Sequence, residues 1–351
     1  SEAKRPQYFD DRQNRELYFF LVQLYFQEGT QTKNLTLAAA NFDKAEKAMQ
    51  KWLKLTPQSN ADAQMIYAQL LLSKAMLNPD KPDLSLIKRT LEQVEVGLRL
   101  NTHPKDTFYV LKLVCLQQLD QLVESAELLE LLIKMKPDNA AYWSQLAAIY
   151  LTLAGNYEGK DQPLALIYST RAIVTFERAQ SHGYMNALKD NNNLVAIYFN
   201  IGQYEKTAEL LQAGLKSGQV ENDTRNWELL STCYQQLDRP LKGVEALREG
   251  TKAFPKSGQL EFLIAQAYTA IDKPEDALKH IQAAITKGNL TKPYQAYLSL
   301  AYTAYSLQKY DIALDAARKA TDFPEGVKDG TNMSKALEDL IRDREARKNK
   351  T

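Results

Sequence analysis

The chain has little of what most catalytic or metal-binding proteins display. It holds two cysteines and three histidines among 351 residues. His103, His182 and His280 lie far apart, none has a second His or Cys at metal spacing, and no H-E-x-x-H occurs, which excludes the common zinc patterns. No G-x-x-x-x-G-K-[ST], G-x-G-x-x-G or G-x-S-x-G is present, so phosphate loops, dinucleotide turns and nucleophile elbows are missing. Asp80-Lys81-Pro82-Asp83 and Asp190-Asn191-Asn192-Asn193 lack the glycine and distal glutamate of a calcium loop. Charge of one sign is also lacking: 44 Lys plus Arg against 43 Asp plus Glu give a net charge of +1. A nucleic-acid footprint needs a clustered basic surplus, so none is expected. The longest apolar runs, Leu17 to Leu24 and Leu128 to Ile133, fall short of the roughly 20 residues that span a bilayer. No signal-peptide pattern stands at Ser1, and the opening Ser1-Glu2-Ala3-Lys4-Arg5-Pro6 suits a mature, processed N-terminus. No cofactor is expected, and no catalytic residue is assigned.

What is there is a repeat. Trp227-x2-Leu230-Ser231-x2-Tyr234, Leu237-Asp238-x-Pro240, Gly243, Leu247, Gly250 and Pro255 define one unit. Shifted by 34 residues, the same slots hold Ile264-Ala265-x2-Tyr268, Ile271-Asp272-x-Pro274, Ala277, Ile281 and Ala284. Shifted by 36 more, they hold Leu300-Ala301, Leu307-Gln308-x-Tyr310, Ala313, Ala317 and Ala320. Backwards come Leu194-Val195-x2-Tyr198 with Ile201-Gly202-x-Tyr204, and earlier Trp143-x2-Leu146-Ala147-x2-Tyr150, whose Trp follows Tyr109 by 34. A helical period nested in one of about 34 residues marks stacked helix pairs. Small residues (Ala147, Ala265, Ala301, Ala277, Ala313, Ala320) let helices approach; large ones (Trp143, Trp227, Tyr150, Tyr198, Tyr234, Tyr268) fill the remaining space.

The spacing predicts helices over 11–28, with Leu17, Phe20, Leu21 and Leu24 at helical spacing, and then a second with Leu37, Ala38, Phe42, Ala45, Met49 and Trp52, ending before Pro57. Pairs follow at 60–77 with 83–100, at 105–119 with 122–135, and at 141–153 with 164–180, the last joined by a long loop over 154–163. Four regular pairs fill 186–321, and a charged helix over 332–347 closes the stack. That makes eight pairs and a cap. The organisation expected is 1–104 as divergent helix pairs, 105–321 as the regular array, and 322–351 as capping helix and tail. Lys112 stands where the fourth unit has Leu146, which marks the divergence of the first units. Cys115 and Cys233 fall inside first helices, separated by several helices at roughly 8–10 Å each, beyond disulfide reach. Asn34-Leu-Thr36, Asn222-Asp-Thr224 and Asn289-Leu-Thr291 form glycosylation triplets of the kind that chance produces.

These repeats resemble the tetratricopeptide family. The resemblance implies an all-α, right-handed α-solenoid and a non-enzymatic adaptor that holds a peptide or helix in its concave groove. The first helices would line that groove with Lys189, Asn192, Phe199 and Asn200, with Arg225, Glu228, Gln235 and Gln236, with Gln259, Phe262 and Gln266, and with Gln295, Leu298, Tyr302 and Tyr305. Amides pair with an extended backbone, and flat aromatics give contact area at low entropy cost. A subgroup of the family grips C-terminal carboxylates with Lys and Asn on successive first helices. Here those slots hold Asn192 and Ala196, then Glu228 and Thr232, and an acid there repels a carboxylate. Segments 140–150, 214–218 with 226–230, and 287–290 are similar to periplasmic repeat proteins of Gram-negative bacteria encoded beside TonB–ExbB–ExbD systems, which implies a periplasmic scaffold with TonB-system or other envelope partners. Two rivals remain open: a cytoplasmic or organellar assembly factor, separable by a signal peptide upstream of Ser1, and an enzyme or small-molecule or lipid binder with a deep closed pocket near Tyr302 and Phe262.

Overall fold

The protein is described by a computed structural model that covers residues 9–56 and 60–348. Pro57 and the Ser1–Pro6 segment lie outside the described residues. Seventeen α-helices occur among the described residues, with no strand. By their internal contacts the residues divide into two units, Ser1–Tyr184 and Met185–Thr351.

Unit 1 contains α1 (Asp11–Gln31), α2 (Leu35–Leu55), α3 (Ala61–Ala75), α4 (Leu84–Arg99), α5 (Asp106–Gln118), α6 (Leu122–Met135), α7 (Ala140–Tyr157) and α8 (Gln162–Ser181). They pack as pairs in chain order, and α4 and α6 also pack on the first helix of the pair that follows. Asp10 starts α1 with a capping box: its carboxylate accepts from the Gln13 amide at 2.7 Å, and its own amide donates to the Gln13 side chain at 3.1 Å. Such caps satisfy donors that have no partner inside the helix.

Several expectations in this unit need correction. Leu17, Phe20 and Leu24 are 40%, 59% and 37% exposed. The face that α1 buries runs instead through Tyr18, Phe19, Val22, Tyr25, Phe26 and Gly29, packed on Phe42, Met49 and Trp52. The two stripes differ by one residue, about 100° around the axis, and the aromatic one removes more apolar area from water. Leu37 is likewise exposed. The helix continues past Gly29 because that glycine admits Phe42; a Cβ there would lie 2.5 Å from the ring. The long loop over 154–163 is mostly helical, leaving only Glu158–Asp161 between α7 and α8. Tyr157 stacks on Tyr168 at 5.8 Å, Tyr168 on Tyr150 at 6.3 Å, and Asp161 caps α8 through the Leu164 amide. This aromatic column gives the extra turns something to pack on.

Unit 2 contains α9 (Leu188–Asn200), α10 (Tyr204–Ser217), α11 (Thr224–Gln236), α12 (Pro240–Ala253), α13 (Gly258–Ala270), α14 (Pro274–Lys287), α15 (Pro293–Ser306), α16 (Tyr310–Ala320) and, after a short 3-10 turn at Pro324–Gly326, α17 (Val327–Lys348). Again each second helix packs on the next first helix, and α17 packs on α16 as α15 packs on α14. Prolines at the first position of α12, α14 and α15 occupy sites whose amide has no helical partner anyway.

One turn recurs within the pairs. Asp120, Gly202, Asp238, Asp272 and Gln308 adopt φ of 54° to 76° after a first helix. The following amide reaches back five positions, as in Arg239 to Tyr234 at 2.8 Å and Lys309 to Ala304 at 2.8 Å. This is the six-to-one closure that ends helices on a left-handed residue.

Alanines at the repeat positions set the spacing: Ala265, Ala277, Ala301, Ala313 and Ala320 are at most 1% exposed. Trp143 is fully enclosed, but Trp227 is half-buried, bonded through its indole NH to Asn222 and pressed on Gly250. Both cysteines are buried, and burial pushes their thiols up, Cys115 to about 12 and Cys233 to about 11.

Two carboxylates are buried with their own cations. Glu46 accepts from Arg89 at 2.6 Å and Lys74 at 2.8 Å. Glu261 accepts from Lys287 at 2.6 Å and His280 at 2.7 Å. Burial alone raises each carboxyl, and the paired cations outweigh it, holding both below the ordinary value.

Candidate functional site

The exposed face of the first helices of unit 2 carries most of the residues singled out above, and their fates differ. Lys189, Asn200, Arg225, Gln235, Gln236 and Gln266 are exposed. Among the described residues, none of these side chains enters a hydrogen bond or ion pair. Tyr302 and Tyr305 are 58% and 48% exposed, high for rings of that size.

Four residues depart from the expectation. Phe262 is 4% exposed and packs with Ala284 and Ala296; it belongs to the core, because its position faces the seam between α13 and α15 rather than solvent. Phe199 is half-buried, edge-on to Tyr204 at 5.5 Å. Asn192 is half-buried, and its side-chain oxygen is enclosed without a hydrogen-bond partner among the described residues. Of the flanking positions, Gln259 is engaged internally, accepting from the Thr291 amide at 3.0 Å. The face is therefore mainly amide and charged, with its open aromatics gathered at α15.

Those tyrosines border a cleft of about 500 Å³ whose other wall is α17, through Asn332, Met333, Ala336 and Leu340. Met333 and Leu337 reach it from a helix whose inner side packs on Ala313, Ala316 and Ala317. Tyr305 meets Tyr310 edge-on at 5.9 Å, and the Arg344 guanidinium lies 4.6 Å above Tyr310. The cleft thus has a hydroxyl-bearing aromatic side and a mixed side, where Asp329 and Asn332 stand beside Met333, Ala336, Leu337 and Leu340. Phe262 is not among the residues that line it.

A second cleft of unit 2, about 540 Å³, lies between the start of α11, the α12–α13 connection and the Asn289–Thr291 loop. Glu228 lines it. Its carboxyl is raised above the ordinary value, first by burial and then by Asp223, with Arg225 offsetting part of the rise. Sequence spacing put Glu228 on this face but gave no sign that it would be half-buried without a cation. Unit 1 holds a cleft of about 550 Å³ beside Arg12, Arg15, Phe19 and Trp52, and one of about 400 Å³ around Glu130, Trp143, Arg178 and His182. In the latter, Arg178 bonds Glu130 at 2.9 Å and covers the Trp143 ring at 5.0 Å.

No cluster of three metal-ligating side chains occurs among the described residues. No described helix is long and apolar enough to cross a membrane.

No protein-family model matches the chain, and no curated protein sequence does. Solved structures do. A crystal structure of MamA aligns at TM-score 0.38 and 16% identity, covering 50% of this chain and 90% of that one. MamA from Desulfovibrio magneticus RS-1 aligns at 0.39 and 13%, covering 51% and 95%. YrrB, described as a TPR protein with an unusual peptide-binding site, aligns at 0.38 and 16%, covering 56% and 92%. By its own period, its alternating small and large positions and its paired packing, the chain is an array of stacked helix pairs that resembles the tetratricopeptide arrangement.

Proposed function

We propose that this chain is a non-enzymatic protein-interaction scaffold that holds a segment of a partner protein on the first-helix face of unit 2. The observation that carries the reading is the pair Tyr302 and Tyr305, roughly half exposed beside a cleft whose far wall mixes Asp329 and Asn332 with Met333, Ala336, Leu337 and Leu340. Aromatic rings that lose little side-chain entropy and gain much contact area are the residues that anchor interfaces. Along the same face, Gln266, Gln235, Gln236 and Asn200 offer amide donors and acceptors, which pair with a polypeptide backbone irrespective of its sequence. A preformed face also loses little entropy on binding, leaving the ordering cost to the partner segment.

The finer reading places this scaffold in the bacterial periplasm, in support of a TonB-type transport system. It is supported by the likeness of segments 140–150, 214–218 with 226–230, and 287–290 to periplasmic repeat proteins.

The test is affinity capture from native cells with mass spectrometry, comparing the wild type with Arg225→Ala/Gln266→Ala/Tyr302→Ala. These positions are exposed, so helicity and melting should stay at wild-type values. Envelope proteins captured by the wild type and lost by the variant are the expected result. Cytoplasmic machinery lost in the same way keeps the scaffold and removes the periplasmic placement. Equal capture by both proteins overturns the assignment of this face.

A further inference from the structure

This inference rests on the scaffold reading above and specifies its partner. We infer that Glu228 is the docking point for a basic side chain, lysine or arginine, of the partner segment, seated in the cleft between α11, the α12–α13 connection and the Asn289–Thr291 loop.

The first ground is how this chain treats its other enclosed carboxylates. Glu46 and Glu261 are 7% and 9% exposed; Glu46 is held by Arg89 and Lys74, and Glu261 by Lys287 and the His280 ring. A carboxylate taken out of water needs such partners to offset its lost hydration. Glu228 is half-buried, yet its carboxylate makes no hydrogen bond or ion pair among the described residues; only its backbone oxygen is engaged, by the Thr232 hydroxyl at 2.9 Å. The same internal pairing that completes the other two sites is left open here.

The second ground is the cleft. At about 540 Å³ it lies within the roughly 300–1,000 Å³ of small-ligand sites. The charged groups near Glu228 are Asp223 and Arg225 at the start of its own helix and Lys256 on the facing connection. Asp223 caps α11 by accepting the Asn226 amide at 2.8 Å, and it adds negative potential at the cleft. Among the described residues, neither Arg225 nor Lys256 forms an ion pair with Glu228. The first turn of α13, which also meets the cleft, is already capped: the Ser257 hydroxyl accepts the Leu260 amide at 3.3 Å. The remaining lining includes Thr224, Gln259 and Asn289, uncharged groups able to accept from a guanidinium or ammonium. One carboxylate without two further ligands does not make a divalent-metal site, and no such group occurs among the described residues. The charge that fits is a single organic cation, and on a peptide-holding face that is a lysine or arginine side chain.

The test is selection of a displayed random-peptide library on the full chain, followed by affinities of the selected peptides. The expected result is a fixed basic position among wild-type binders. Those peptides should bind Glu228→Gln at least about tenfold more weakly, the effect of roughly 1.4 kcal/mol, with helicity unchanged. Selection on Glu228→Lys should replace the basic position by Asp or Glu. Affinity should also fall with rising salt, and fall as pH drops through the titration of the carboxyl. Binding equal in wild type and Glu228→Gln, or no basic position, overturns the inference. Tyr302→Ala/Tyr305→Ala separates the two levels. Peptides sensitive to it but not to Glu228→Gln leave the scaffold face standing without this docking point. Peptides sensitive to neither, or none selected at all, remove both.

Discussion

Gln308 occupies a backbone conformation that its side chain disfavours. Its φ of 58° lies in the left-handed region, where an L-residue costs roughly 1–2 kcal/mol. The equivalent slot holds Gly202 in one pair and aspartates in three others, and aspartate tolerates the region through local hydrogen bonding. Gln308→Gly should therefore raise the stability of unit 2 by about 0.5 kcal/mol after the entropic cost of glycine. Asp272→Gly should gain less, and chemical denaturation of the two variants checks the order. Glu261 gives the acid behaviour. Its folded carboxyl lies below the ordinary value, so the stability it contributes is present above the unfolded value and is lost as pH falls through the folded one. Glu261→Gln should cost about 1–3 kcal/mol at neutral pH. The difference in melting temperature from wild type should shrink as pH falls below 4.5. Sequence reading succeeded at this scale for the alanines, because a small residue at a helical crossing has few other uses. It failed for Phe262, whose exposure depends on which neighbouring helix leans over it, and it did not foresee the partners of Glu46 and Glu261, which come from other helices.

At the scale of elements, the succession of helix pairs was legible from the repeat, whose proline slots Pro240 and Pro274 stand at helix starts. The face of α1 was not. Leu17, Phe20 and Leu24 keep helical spacing as well as Tyr18, Val22 and Tyr25 do, and only the shape of α2 decides between them. Phe42 fits against Gly29, so Gly29→Ala should destabilise unit 1 by about 1–3 kcal/mol through overpacking. A calorimetric scan reads that loss, and restoring room with Phe42→Leu should recover part of it. The stretch over 154–163 carries Gly155 and Asn156, which read as loop, yet helix persists across both because Tyr157 finds Tyr168. Local propensity yields to such tertiary contacts.

At the scale of the whole molecule, helix pairs touch mainly their neighbours in chain order, so damage should stay local. Trp143→Ala removes a fully enclosed indole and should cost about 3–5 kcal/mol. Hydrogen exchange should show lost protection in α5 to α8 while α13 to α16 keep theirs. Uniform loss across all eight helices would show a single cooperative fold instead. The architecture was readable because every step restates the same pattern; the binding chemistry was not, since it resides in whatever each step is free to vary.

The row Ala313, Ala316, Ala317 and Ala320 under α17 has one more consequence. A carpet of methyl groups is nearly featureless, so it accepts any helix with an apolar side, including one from another copy of the chain. Such a contact is head-to-tail, and without a closing rotation it propagates into fibres rather than dimers. Met333 and Leu337 of α17 cover that carpet, so its methyl groups are not open to such a contact.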